Sequence, residues 1–309
     1  MAKLLLVFAS ILMMGSSAWS QEREQEMVMS AGFGSLHKYS VTFFSIGSLT
    51  SKQADGLTHQ EDTSYSAYNY IGANYKINGN EKVSLRLPFI GILAGNNRYG
   101  DREDNTKAEL QDIFIAYSWR DLGYIGDVDL SGNLKWYFPT SEFSGATAMV
   151  GKLKGELYAE YSLTRFSSLT YAIKPEIFWQ NRTAYFDDNI PQYSDGSGQY
   201  VADPRKTTKQ YSLEHYLEAV LDINRYFGAK PKAGFEEDWY YGSEVENLDS
   251  RHTTSAKIGF GIEVRPFNGL NFTVGMENTT RLETYKDQKV GLFKPENLSY
   301  TLMVNAALL

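Results

Sequence analysis

The sequence predicts an all-β protein: a single antiparallel transmembrane β-barrel of about 12 strands, with short periplasmic turns and long extracellular loops. Three observations predict it. Apolar and polar residues alternate with period two in repeated segments of barrel-strand length. The gaps between these segments are by turns short and long. The aromatic residues gather at the segment ends.

The chain opens on a targeting signal. Lys3 supplies a positive n-region, Leu4 to Met14 an apolar h-region, and Ser16-Ser17-Ala18-Trp19-Ser20 the small residues of a cleavage site before Gln21. The apolar run is short of the roughly 20 residues of a spanning helix. The expected organisation is a signal peptide at 1–20, a periplasmic segment at 21–37 and an outer-membrane barrel at 38–309. Cleavage removes Lys3 and no acidic residue, so the formal charge moves from −7 to 29 − 37 = −8. An acidic chain is poorly suited to phosphate backbones, so no nucleic acid is expected as partner. With no cysteine, the chain has no residue to carry a disulfide, a thiolate metal site or a lipid.

The strands follow in order. The candidates are Lys38–Leu49, Tyr65–Ile77, Lys82–Ala94, Ala108–Trp119, Asp127–Phe138, Lys152–Leu163, Leu169–Gln180, Tyr211–Ile223, Ala229–Tyr241, Ser255–Val264, Leu270–Leu282 and Leu298–Leu308. Asp127–Phe138 is the clearest: Val128, Leu130, Leu134 and Trp136 fall on one face, Asp129, Ser131, Asn133 and Lys135 on the other. Lys152–Leu163 repeats it, with Leu153, Leu157 and Tyr161 opposing Lys152, Lys154, Glu156 and Glu160. Successive strand side chains point to opposite sides, so each strand has one apolar and one charged face. A β-sandwich alternates too, but it gives no reason for gaps such as Asn78–Glu81, Arg120–Gly126, Thr164–Ser168, Asn224–Gly228 and Arg265–Gly269 to be tight while those between them are long. Asn181–Gln210 is the longest of the loops.

Trp136, Trp179 and Trp239 lie at loop ends of their strands, and Tyr39, Tyr75, Tyr117, Trp119 and Tyr161 at turn ends. Indole and phenol rings favour the headgroup level, where one edge is apolar and the other hydrogen-bonds. Pro88, Pro175 and Pro231 lie inside candidate strands, where each removes a ladder donor, and bulges are expected there. The chain ends in Leu308-Leu309, where many such barrels carry an aromatic residue.

With the strands laid out, the chain resembles the outer-membrane transporter barrels of the MetA-pathway-of-phenol-degradation family. Val83-Ser84-Leu85-Arg86-Leu87-Pro88-Phe89, Leu110-Gln111-Asp112-Ile113-Phe114-Ile115-Ala116-Tyr117 and Leu130 through Trp136-Tyr137-Phe138-Pro139-Thr140 carry the resemblance. Ser141 stands where a glycine commonly follows the Pro-Thr. The resemblance implies passage of small molecules, aromatic or apolar ones among them, across the outer membrane.

The polar faces should converge in the lumen. The lining candidates are Arg86, Asp112, Asp129, Lys135, Lys152, Lys154, Glu156, Glu160, Lys174, Glu176, Glu214, Glu218, Lys257 and Glu263. They can fill a narrow barrel with cross-strand ion pairs, or select solutes by charge in an open one. Substitution on this face, Lys154→Leu or Glu156→Leu, is expected to do much less harm than charge on the apolar face. His37, His59, His215 and His252 show no metal-ligand spacing, and none is followed at +2 by the serine of an outer-membrane phospholipase. Asp187-Asp188 with His252 could mimic a rim protease, but an Asp pair in a polar loop is more often solvation. No catalytic residue, metal or cofactor is expected. The expected function is passive passage of small solutes through a channel, with Asn181–Gln210 as filter. The alternatives are a closed structural barrel whose loops make surface contacts, and an outer-membrane hydrolase. The expected partners are outer-membrane lipid, periplasmic chaperones, the barrel-assembly machinery and a small solute.

Overall fold

The computed structural model describes residues 38–50, 65–93, 107–186, 205–243, 248–267, 269–282, 294 and 297–308. The segments expected as signal peptide and periplasmic stretch lie outside these, as do His37, His59, Asp187-Asp188 and most of the long loop.

The strands are β1 (Tyr39–Thr50), β2 (Tyr65–Lys76), β3 (Glu81–Leu93), β4 (Lys107–Leu110), β5 (Phe114–Ile125), β6 (Val128–Tyr137), β7 (Met149–Thr164), β8 (Ser167–Gln180), β9 (Ala184–Phe186), β10 (Arg205–Thr207), β11 (Lys209–Asp222), β12 (Phe227–Tyr240), β13 (Arg251–Phe267), β14 (Leu270–Arg281) and β15 (Leu298–Ala307). One short helix, α1 (Glu142–Ala146), follows β6. Each long strand pairs antiparallel with its neighbours, and β1 pairs with both β2 and β15, which closes the sheet. β4 and β5 lie end to end beside β3 and act as one interrupted strand, so the barrel has 12 staves. β9 and β10 pair only with each other, extending the β8–β11 hairpin beyond the wall.

Alternation explains the closure. Leu85, Leu87, Ile115, Leu134, Leu157, Val274 and Leu302 stand exposed on the outer face, while the buried aromatic clusters Phe44/Tyr70/Met303, Phe114/Ala116/Tyr137 and Tyr158/Ala172/Tyr216 all point inward. An apolar exterior around a polar interior, in a sheet closed on itself, is the form in which strands can cross a bilayer. No helix among the described residues is long and apolar enough to do so. Trp136 stacks near Trp179 at the loop end, with centroids 5.3 Å apart, and Tyr39 lies 5.2 Å from Tyr75 at the turn end.

Turn chemistry fixes the tight ends. Asn78 Oδ1 accepts from the backbone N–H of Asn80 (2.8 Å) and Glu81 (2.9 Å), an Asx turn. The turn expected over Arg120–Gly126 is shorter than the sequence suggested. β5 runs on to Ile125, which pairs with Val128, and Gly126 at φ 60 closes a two-residue loop. The proline expectation is corrected in two of three cases. Opposite Pro88, residues Gln111-Asp112-Ile113 interrupt the neighbouring chain, and the Gln111 N–H donates to the Pro88 carbonyl at 3.0 Å. At Pro175 and Pro231 no bulge forms. The β7–β8 and β11–β12 registers continue unshifted past them, and only two adjacent pairs are lost from each ladder. Gly155 faces Pro175 and leaves room for its ring, since a Cβ there would sit 3.4 Å from Pro175 Cγ. The register shifts occur instead near strand ends, among them Lys209/Tyr211.

Leu157 is in the middle of β7 on the outer face, level with Ile173 and Gly132. Leu157→Arg is expected to destabilise the inserted barrel by about 2–4 kcal/mol, because a guanidinium near the bilayer midplane loses its hydration. Denaturant titration in vesicles measures this; an unchanged midpoint would place that face away from lipid.

Candidate functional site

The inward side chains lie in cross-strand rows. On the arc from β6 to β13 the row nearest the loop end is Tyr137, Lys152, Phe178, Lys209, Tyr240 and Arg251. The next row toward the turn end is Lys135, Lys154, Glu176, Ser212, Asp238 and Thr253. Below it come Asn133, Glu156, Lys174, Glu214, Glu236 and Ser255, then Ser131, Tyr158, Ala172, Tyr216, Gly234 and Lys257.

Glu156 is the centre of one network. Its Oε1 takes Lys135 Nζ at 2.8 Å, and its Oε2 accepts from Asn133 Nδ2 (3.0 Å) and Tyr158 OH (3.1 Å); both side chains of the ion pair have 0% exposure. Lys154 bridges toward Glu176 at 2.9 Å, with Glu156 at 3.8 Å, and Lys152 reaches Glu176 at 3.5 Å. The lumen substitutions expected to be alike are therefore unlike. Lys154 stands at the edge of the network, while Glu156 is wholly enclosed by donors. A second network lies nearer the turn end, where Glu263 takes Lys230 Nζ at 2.9 Å and Asn271 Nδ2 at 2.8 Å beside Arg265, and Arg265 also holds Asp222 at 2.7 Å.

The remaining candidates fall as follows. Arg86 is buried, donates to Tyr70 OH at 3.1 Å, and sits over the Tyr70 and Phe114 rings. Lys174 lies against the Tyr158 and Tyr216 rings, opposite Glu214. Glu218 faces Lys232, and Lys257 pairs with Glu236 at 2.7 Å. Asp129 and Glu160 face each other at the turn end, where Asp129 is exposed. Asp112 is not on a strand. It sits in the β4–β5 break, where Oδ1 accepts from the Thr140 and Ser141 N–H groups at 3.0 Å each and from Ser144 Oγ at 2.7 Å. It thereby clamps the start of α1, whose N-cap is Ser141. The clamp lies at the loop-end mouth, where it ties the β4–β5 break to the segment that follows β6.

Sequence reasoning missed Lys209, Arg251, Lys230, Lys232 and Arg265, and did not weigh the inward rings. Lys230 and Lys232 share the parity of Glu236 and Asp238 and were legible from alternation. Lys209 was not, because the shift between Lys209 and Tyr211 turns an odd-numbered side chain inward. On the outer face Trp239 stacks on His252 (4.7 Å, 20°), and His252 Nε2 lies 3.3 Å from Glu237. That histidine points away from the lumen.

Exposure changes along the lumen. Lys152 and Lys209 in the top row keep 19% and 27% of their side-chain surface, whereas Lys135 and Glu156 keep none. The loop end is thus a vestibule with a packed floor along β6 and β7, while Glu236, in the same row as Glu156, keeps 29%.

No family model matches the chain, so the family resemblance above gains no support from that comparison; no curated protein matches either. Among solved structures it is similar to an outer membrane channel from Pseudomonas putida F1, with 9% identity, 87% of this chain and 94% of that one covered, and a TM-score of 0.46. It is similar to the NanC porin at 8% identity, over 87% of this chain and 100% of that one, with a TM-score of 0.45. The translocator domain of the autotransporter NalP from Neisseria meningitidis aligns at 13% identity, over 93% and 94%, with a TM-score of 0.43.

Proposed function

We propose that this barrel is an outer-membrane channel that passes small solutes through a charged, narrow lumen. The observation that carries the reading is the uneven lining: below the accessible cations of the loop-end vestibule, one side holds a fully enclosed Lys135–Glu156 pair while Glu236 at the same depth keeps 29% of its side-chain surface. A path that is wide and charged at one end and constricted at mid-depth admits solutes by size and sign. In this reading residues 1–20 direct export, and periplasmic chaperones and the barrel-assembly machinery deliver the chain to outer-membrane lipid. The long loops then face outward. The enclosed pair is also what a closed structural barrel would contain, and that is the second reading.

Single-channel recording on refolded protein separates the two. The channel reading expects small, discrete conductance steps; bilayer insertion without conductance would decide for the closed barrel. The double variant Lys152→Glu/Lys154→Glu is expected to move the reversal potential toward cation selectivity, because a low-dielectric wall focuses the field of lumen charges. An unmoved reversal potential in a conducting variant would take these lysines off the path.

A further inference from the structure

The top lumen row does more than carry charge. Rings and cations alternate along it without interruption, across six neighbouring staves. Lys152 Nζ lies 3.9 Å from the centre of the Tyr137 ring and 5.5 Å from that of Phe178. Lys209 Nζ lies 5.9 Å from the centres of both Phe178 and Tyr240, and the Arg251 guanidinium lies 4.1 Å from Tyr240. The row is built by register: Tyr137 pairs with Lys152, Lys152 with Phe178, Lys209 with Tyr240 and Tyr240 with Arg251. Its centre depends on the β11 irregularity, which brings Lys209 to the inner face beside Phe178. Bulges re-aim side chains in this way where a wall must present a particular group.

The charge in the row is of one sign. The carboxylates that balance it, Glu176 and Asp238, stand one row deeper, where Glu176 meets Lys152 and Lys154, and Asp238 meets Lys209 at 2.7 Å. Along the arc from β6 to β13 the ammonium and guanidinium groups of this row therefore stand nearer the loop end than Glu176 and Asp238 do. Each lysine has three donors and the arginine five, and one carboxylate contact leaves donors over on each lysine. Phe178 stands between two of these lysines and is only half-buried, which leaves ring surface open to the vestibule. A ring that stacks there can place an attached anion within reach of Lys152 or Lys209. Cation–aromatic contacts hold the lysine heads near the rings in advance, so little ordering is left to do on binding.

We propose that this row is a binding site for ring-bearing carboxylates, centred on Lys152, Phe178 and Lys209. It deepens the channel reading and rests on it for its role in transport, while binding itself can be measured without transport. Calorimetry on detergent-refolded protein uses benzoate and glucuronate as ring carboxylates, acetate as a carboxylate without a ring, and benzyl alcohol as a ring without a charge. Saturable binding of benzoate, of glucuronate or of both, at concentrations where acetate and benzyl alcohol give no heat, is the expected result, and it tells an aromatic ring from a sugar ring. Lys209→Gln and Phe178→Leu should each weaken that binding about tenfold or more. Arg251→Gln, at an exposed position at the end of the row, should weaken it by a smaller factor. Heat-modifiable migration on gels checks that each variant has folded. Acetate binding as tightly as benzoate and glucuronate, no binding of any probe, or full binding by folded Lys209→Gln would each overturn the site. Binding without conductance would leave the site standing and remove the channel; conductance without binding would do the reverse.

Discussion

Replacing Glu156 by leucine is expected to destabilise the barrel by about 3–5 kcal/mol, the cost of stranding a buried charge. The carboxylate holds Lys135 at 2.8 Å with both side chains fully enclosed, and it also accepts from Asn133 and Tyr158. Leucine leaves the Lys135 ammonium without its carboxylate partner and removes the acceptor of two further donors. The double variant Lys135→Met/Glu156→Leu should recover most of the loss, because two apolar side chains of similar size remove the desolvation cost along with the attraction. Lys154→Leu should cost much less, since Lys154 keeps access to the vestibule. Denaturant midpoints in vesicles measure all three. If Glu156→Leu and Lys154→Leu unfold at the same denaturant concentration, the enclosed network is not what the mid-lumen rests on.

That contrast shows what the sequence could and could not tell. Period-two alternation puts Lys135, Lys154 and Glu156 on one face of their strands, because the pleat alone fixes which side a residue takes. It could not separate Lys154 from Glu156. They differ only in depth, and depth depends on barrel closure and on side chains from strands far away in sequence. The long strands were legible for the same reason, with ends moved by a few residues. The failures fall where the period breaks. Alternation across Ala108–Trp119 gave no sign of the interruption at Gln111-Asp112-Ile113, and the inward turn of Lys209 needed a register shift that no local pattern records. Pro175 and Pro231 misled in the other direction. A missing donor suggested a bulge, but a closed ladder with many other pairs tolerates one lost bond without shifting register.

The interruption in the β4–β5 stave leads to the second large expected effect. Asp112 leaves the wall there and takes hold of the segment that follows β6, through the Thr140 and Ser141 N–H groups and the Ser144 hydroxyl. Thr140 Oγ1 closes the clasp in the other direction, donating to the Gln111 carbonyl and accepting from the Ile113 N–H. Ser144 and Thr147 are buried as a result, and the Phe143 ring meets Tyr185 of β9 at 5.7 Å, so α1 is held at the mouth between two staves and the extended hairpin. Hydrogen bonds to a carboxylate contribute about 1.5–3 kcal/mol each. Losing the clamp, partly offset by water, should change the docked-to-released ratio of α1 by about two orders of magnitude, at about 1.4 kcal/mol per factor of ten. Asp112→Ala is therefore expected to raise both the mean conductance and the current noise of the channel, as α1 leaves the vestibule for part of the time. Asp112→Asn, which keeps an acceptor for the two N–H groups, should fall between it and the parent. The barrel itself should remain folded in both, because the β3–β5 pairs from Glu81–Trp119 to Arg86–Phe114 do not involve Asp112. Unchanged conductance and noise in a folded Asp112→Ala channel would mean that α1 stands clear of the path, and that the vestibule is shaped by the wall alone.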